Sequence, residues 1–368
     1  MKRYNASPLL QQPRPDFTEL TGIIKGEVMG ERIHPVELHI DDEVLAAIQD
    51  RWVGEAWIPN QAETRREHFA QKIQLYLGLG YDYYPWAQWP LDWMHHPRAS
   101  ERTGADTALL SRGNRRWVDE GRGLIGGWRD FERFPWDKIE PDWRQLELAS
   151  SLLPQGMRIV VCTNFFEHVL ENLLGFEGLF YKIHDDPGLV AAVFERWGEK
   201  VESFYRTALD ADSVGALFHA DDLGHKTSTL LSPEILDRLV FPWLTRFAAL
   251  AHGKERTFWL HSCGNHYRAG TLPILLDRVR IDAFHSFEEV ITPVSDFISR
   301  FGDRAAALGG VDMDRLARSR PEELRRYVRG ILAAARGRRY ALGSGNTIAN
   351  YIPLENYITM LEEGRRAL

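Results

Sequence analysis

The chain has 368 residues, 44% of them hydrophobic and 26% charged, which is enough material for a large globular core in two ordinary domains or one α/β barrel. A net charge of -7 excludes a general nucleic-acid or polyanion binder, because neutralising phosphates needs a basic face, and leaves a small-molecule substrate as the expected partner. No apolar run approaches the roughly 18 residues of a membrane span, Lys2-Arg3 leads into polar, Pro-rich sequence, and two cysteines are too few for a disulfide framework; a cytoplasmic protein with no membrane partner is expected.

In chain order, residues 1–30 carry Pro8, Pro13 and Pro15 and read as an irregular N-terminal arm over a body spanning 31–368. From there short apolar runs alternate with longer helical patterns. The predicted strands are Ile33–Leu38, Tyr81–Ala87, Arg158–Thr163, Val214–Ala220, Thr257–His261, Ile281–His285, Ala305–Gly309 and Tyr340–Gly343. Helices between them have start signals: Asp186-Pro187, Ser232-Pro233, and Ser319 with Glu322 as a capping box. Eight strands alternating with helices imply parallel pairing with right-handed crossovers, so a single (β/α)8 TIM barrel is the simplest arrangement and an open doubly wound sheet the alternative.

One stretch breaks the rhythm. Residues 88–155, between the second and third strands, are too long for a simple connection and hold Trp89, Trp93, Trp117, Trp128, Trp136 and Trp143. Indole rings offer broad apolar walls with one donor each, so the insertion either packs on the barrel as a subdomain or encloses a flat or bulky ligand. Gly121, Gly123, Gly126 and Gly127 lack the framing strand and helix that a phosphate loop requires.

In a barrel the active site forms from the loops after the C-terminal ends of the strands. Polar and aromatic residues there are Tyr84, Trp86, Thr163, Asn164, His219, Asp221, Asp222, His261, Cys263, His285, Phe287, Glu288, Asp312, Ser344 and Asn346. The sharpest of these lie in Thr257-Phe258-Trp259-Leu260-His261-Ser262-Cys263-Gly264-Asn265. On a strand, positions i and i+2 point the same way, so imidazole and thiol converge. Such a pair is a metal half-site, a thiol beside its base, or a buried inert contact.

If it is a metal half-site, Asp222 or Glu288 is the candidate third ligand. Asp222 could equally orient His261 or act, with His219 and His285, as acid or base. Asp221 and Asp222 alternate in direction, so one is expected at the site and the other at a cap. Tyr84, Trp86, Asn164, Phe287, Asp312, Ser344 and Asn346 are candidate substrate or cofactor contacts. The structural alternatives are a solvated turn at Asp221-Asp222, a satisfied core histidine at His285 and a tight turn at Gly309-Gly310.

Asp221-Asp222-Leu223-Gly224, Leu260-His261-Ser262-Cys263-Gly264-Asn265, Gly309-Gly310-Val311-Asp312 and Gly345-Asn346-Thr347-Ile348, followed by Pro353-Leu354-Glu355-Asn356, resemble in order and spacing the uroporphyrinogen decarboxylase superfamily. The resemblance covers roughly residue 33 to the C-terminus. Within it the chain looks like the cobalamin-dependent methyltransferases of the methylcobalamin:coenzyme M type. The arginine-bearing N-terminal run that marks the decarboxylase is missing.

The resemblance implies a TIM barrel, Zn2+ on His261 and Cys263, a corrinoid as methyl carrier, a corrinoid carrier protein as partner, and it allows a homodimer. Those methyltransferases use a second Cys after the last strand, where this chain has Ser344. A neutral Ser is a poor zinc ligand, so either a carboxylate or His substitutes, or metal binding is weak or lost. The function implied is a zinc-dependent corrinoid methyltransferase. The alternatives are a metal-independent decarboxylase using Asp222 and His219, and a non-catalytic corrinoid or tetrapyrrole binder. An amidohydrolase-type metal barrel is disfavoured, since His34 and His39 lie too far apart for its His-x-His pair.

Overall fold

Seven of the eight predicted strands pair in register in one parallel sheet: β1 Tyr83–Ala87, β2 Arg158–Thr163, β3 Val214–Ala220, β4 Thr257–His261, β5 Ala283–His285, β6 Ala306–Leu308 and β7 Tyr340–Ala341, in that spatial order. The coordinates, a computed structural model, describe residues 7–119 and 121–367. The sheet curls, because side chains of non-adjacent strands meet on its inner face: Tyr83 of β1 packs edge-on to Trp259 of β4 at 5.8 Å, and Phe218 of β3 to His285 of β5 at 5.5 Å. The architecture is α/β and compatible with a TIM-barrel-like fold.

The predicted first strand, Ile33–Leu38, is not a ladder strand. It makes one parallel bridge, Pro35 with Leu342, through Val36 N to Leu342 O at 2.8 Å and Leu342 N to His34 O at 2.9 Å. Pro35 has no N–H to extend pairing. On its other side the Tyr83 hydroxyl replaces a strand neighbour, accepting from Glu37 N at 2.8 Å and donating to Glu37 O at 2.5 Å. The segment is thus a seam between β7 and β1, held on one flank by a phenol.

The expected irregular arm is corrected in part. Residues 1–6, with Lys2 and Arg3, lie outside the described residues, but Phe17–Lys25 is a helix with Asp16 accepting from Glu19 N at its start. Phe17, Leu20, Ile23 and Ile24 had the helical spacing that signals this. Phe17 stacks on Trp259 at 6.2 Å, and a Cβ on Gly215, at the start of β3, would meet its ring at 2.3 Å. The helix therefore plugs the end of the sheet where strands begin. Chemistry is left to the other end.

Between β1 and β2 the chain forms an antiparallel hairpin, Glu101–Ala105 with Asn114–Val118, and helices Trp128–Arg133 and Trp143–Leu152. Two of its tryptophans pack outside the sheet: Trp93 lies against Trp197 at 5.4 Å and Phe204 at 5.2 Å, and Trp143 stacks on Phe204 at 5.5 Å, while Trp117 and Trp128 are exposed. Both partners belong to helix Pro187–Ala208, opened by the Asp186 cap as the sequence indicated. Trp136 is buried beside Phe134 at 4.4 Å, so these rings build a satellite core. The helix expected from Ser319 instead begins at Pro321 with Arg320 as its cap. No helix among the described residues is long and apolar enough to cross a membrane, and both cysteines are free.

Candidate metal centre

The centre begins at the last residue of β4. His261 follows Trp259 by two positions, so it shares the inner face, and the chain turns through Ser262 to Cys263 and Gly264. Gly264 has a φ of 127°, and a Cβ there would meet Gly224 Cα at 2.6 Å. Only glycine lets this loop lie flat against the loop after β3. That contact delivers Asp222, whose Oδ1 accepts from Cys263 N at 2.8 Å.

One carboxylate oxygen of Asp222, one ring nitrogen of His261 and the sulfur of Cys263 lie within 4.8 Å of one another. His261 Nε2 is 3.3 Å from Asp222 Oδ1 and 3.8 Å from Cys263 Sγ. Tetrahedral zinc with bonds of about 2.0–2.3 Å needs donor separations of roughly 3.3–3.8 Å. Two of the three edges already have those lengths.

The tautomer of His261 follows from its neighbours. His285 Nε2 faces the Ser344 carbonyl at 3.0 Å, an acceptor only, so that nitrogen carries the proton. Burial, and then the adjacent His261, hold His285 well below the ordinary imidazole range and keep it neutral, which leaves its Nδ1 as an acceptor. His261 Nδ1 lies 2.7 Å from it and must donate. A neutral His261 then turns a bare Nε2 lone pair toward Asp222 and Cys263. Lone pairs on nitrogen and oxygen 3.3 Å apart repel unless a proton on Nε2 or a cation lies between them. A Cβ on Gly309 would sit 2.1 Å from Ser344 O and 2.9 Å from the His285 ring, so a glycine there admits this relay.

Burial works against ionisation of Asp222, but with Nε2 of His261 protonated its hydrogen bond and charge, joined by the hydrogen bond from Cys263, outweigh burial and hold the carboxyl at about 2; with Nε2 bare, a cation has to supply that attraction. The Cys263 thiol is pushed up by burial and by the Asp222 charge, with the Ser286 hydroxyl opposing. A divalent cation reverses that balance, since a coordinating thiol is deprotonated outright. Ser286 Oγ at 3.3 Å and Asn346 Nδ2 at 3.4 Å complete the surroundings of the sulfur.

The remaining predicted residues are distributed unevenly. Asp221 and Asp222 do diverge: Asp221 accepts from the backbone N–H groups of Phe165, Phe166 and Glu167 at 2.9–3.1 Å and from His219 Nε2 at 2.8 Å. His219 lies on the outer face of β3, with Nδ1 on the Tyr205 hydroxyl at 2.7 Å, and is not brought to the centre. Tyr84 and Trp86 also face outward, against Phe69 and Tyr76 and against Trp143 and Phe204. Phe287 is buried against Phe284 and Phe297. Asp312 caps helix Met313–Arg318 and accepts from Glu289 N at 3.0 Å.

Glu288 is not in the three-donor group. It lines a small recess with Phe287 and Tyr267, and burial raises its pKa against the pull of Lys226. Ser344 is turned away from the sulfur: its Oγ donates to Glu37 Oε2 at 2.5 Å and its N to Oε1 at 2.8 Å. Asp222, not Ser344 or Glu288, stands beside His261 and Cys263.

Asn164 and Glu167 follow β2 on the Asp222 side, joined by a 3.5 Å contact between Asn164 Nδ2 and Glu167 Oε2. Burial, then the charges of Asp222 and Asp221, raise Glu167 well above the ordinary carboxyl range. Glu167 was missed in the sequence, although Asn164-Phe165-Phe166-Glu167 directly after a strand end was the available signal.

No family model and no curated protein sequence matches the chain. Among solved structures it is similar to a methyltransferase from Methanosarcina mazei, with a TM-score of 0.68 and 16% identity over 95% of this chain and 97% of that one. A family 5 xyloglucanase from Paenibacillus pabuli aligns with a TM-score of 0.43 at 10% identity over 93% of this chain and 99% of that one, too distant to inform the comparison. At these identities the likeness is one of fold, and the fold shared over nearly the whole length of both chains is that of the Methanosarcina methyltransferase.

Proposed function

We propose that this chain is a zinc-dependent methyltransferase of uroporphyrinogen decarboxylase-like architecture, moving a methyl group between a corrinoid and a small-molecule acceptor. The observation that carries it is the convergence of Asp222 oxygen, His261 Nε2 and Cys263 sulfur, with the His285 relay leaving Nε2 bare for a metal. The fold likeness to a methyltransferase supports the reading. In it the 33–38 segment acts as the eighth element of a closed barrel, the corrinoid arrives on a carrier protein, and the setting is the cytoplasm.

Asp222, His261 and Cys263 would hold the ion. Zinc held there would supply a Lewis acid able to lower the pKa of an acceptor group toward neutral pH. The chain's own groups do the rest. Ser286 and Asn346 steady the sulfur, and His285 fixes the imidazole. Glu167, held neutral beside Asp222, can donate its carboxyl proton and take one back. The carboxy-lyase alternative loses a partner for Asp222, since His219 is committed to Tyr205 and Asp221.

Metal analysis of protein purified without added zinc tests this directly. About one zinc per chain is expected, lost in Cys263→Ala and Asp222→Asn. Zinc-loaded protein should also speed the demethylation of methylcobalamin by a simple thiol. Metal-free protein that retains full turnover would sink the mechanism.

A further inference from the structure

A second cavity, of about 650 Å3, lies at the opposite end of the sheet. Tyr340, the first residue of β7, is in its wall, whereas His261 is the last residue of β4. Its charged lining is one-sided: Arg32, Arg329, Arg336, Arg338 and Arg366 against Glu363. We propose that this cavity binds a small organic dianion, a phosphate monoester with an apolar body being the class that fits it.

The guanidinium groups are held but not used up. Arg32 is tied outside the cavity to Asp82 at 2.5 Å and to Glu19 at 3.5 Å, and Arg338 to the exposed Asp303 at 3.6 Å. Arg329 and Arg366 share the buried Glu363 at 2.6 and 3.0 Å, yet their side chains remain 61% and 58% exposed. Arg336 has no carboxylate partner among the described residues. Each guanidinium has five donors, so pairing on one edge leaves the other edge to face a ligand.

One effect opposes an anion here. Helix Pro321–Ala335 ends at the cavity, and its last carbonyls carry roughly half a negative charge. The full charges of the arginines exceed it. An apolar wall of Ile23, Met29 and Leu332 completes the cavity, with Met29 75% exposed and so available to cover a ligand's apolar body. The volume is within the range of about 300–1,000 Å3 typical of small-molecule sites.

Calorimetric titration of the full chain with phenyl phosphate near neutral pH and low salt tests the proposal, with inorganic phosphate and phenol as separate arms. Phenyl phosphate should bind more tightly than either. The double variant Arg336→Ala with Arg338→Ala should weaken it at least about tenfold, and Arg336→Lys with Arg338→Lys should restore part of the loss. Both arginines are exposed, so the unliganded melting temperature should not move. No heat from phenyl phosphate, undiminished binding by the alanine variant, or equal binding of phenol overturns the proposal. Neither arginine is in the metal centre, so this outcome is independent of the zinc reading.

Discussion

His261 and His285 meet through their Nδ1 atoms at 2.7 Å, and this contact decides what His261 can offer on its other side. His285 takes its own proton to the Ser344 carbonyl, so the pair runs in one direction only. Replacing His285 with Phe removes the acceptor and lets Nε2 keep the proton. Zinc affinity, measured by competition with a chromophoric chelator, should fall about 10–100-fold with Cys263 and Asp222 intact. Unchanged affinity would mean that the relay does not set the tautomer.

Ser344→Ala and Glu288→Ala separate ligands from neighbours. Ser344 is bonded to Glu37 and Glu288 is outside the donor group, so both variants should keep about one zinc per chain by elemental analysis. Loss of metal in either would move the third ligand away from Asp222.

Gly264→Ala should be costly. Its φ of 127° is closed to side chains, and the new methyl would lie 2.6 Å from Gly224 Cα, backbone that cannot step aside. A loss of about 2–4 kcal/mol is expected from urea unfolding, together with weakened metal binding, because the loops carrying Asp222 and Cys263 are forced apart.

Stability should depend on Glu37. Burial lifts its carboxyl to about 8 against the hydrogen bonds from Ser344. A raised acid pKa means that the folded state keeps a proton the unfolded chain has released. Its contribution is intact below the unfolded value of 4.5 and is lost as pH rises toward about 8. The loss is at most about 5 kcal/mol, from 1.36 kcal/mol per unit. Glu37→Gln should flatten that decline in melting temperature between mildly acidic and mildly alkaline pH. A variant whose melting temperature falls just as steeply would place the titration elsewhere.

Trp93→Ala tests the satellite core. Its ring packs on Trp197 and Phe204, far from any ligand role, so a cost of about 3–5 kcal/mol with full metal content is expected.

Much of this was readable in the sequence because it rests on period two. Arg158–Thr163, Val214–Ala220 and Thr257–His261 have the predicted ends, and the His261/Cys263 spacing carried the convergence. What failed depended on register between strands. Ala220, not His219, pairs with His261, so His219 faces the helices, and no single strand reveals that offset. Tyr84 and Trp86 face outward for the same reason. Asp312 is found as a helix cap, and a cap and a ligand contact use the same carboxylate at a strand-to-helix turn, so the sequence does not separate the two. The role of Ser344 needed a partner 307 positions away, Glu37.

The Tyr83 seam has one more consequence. The backbone of the 33–38 segment is held by a phenol and a single bridge where other neighbours share a ladder, with the side chains of His34 on Asp82 and Glu37 on Ser344 as its further ties, so amide exchange should begin here. The three donors of the candidate centre sit on β4 and on the loops after β3 and β4, in the middle of the sheet, and would ride through such an opening undisturbed. The Ser344 carbonyl would not, since Glu37 in the seam holds Ser344 through its N–H and hydroxyl. Loosening there would shift the His285–His261 relay while leaving the three donors together.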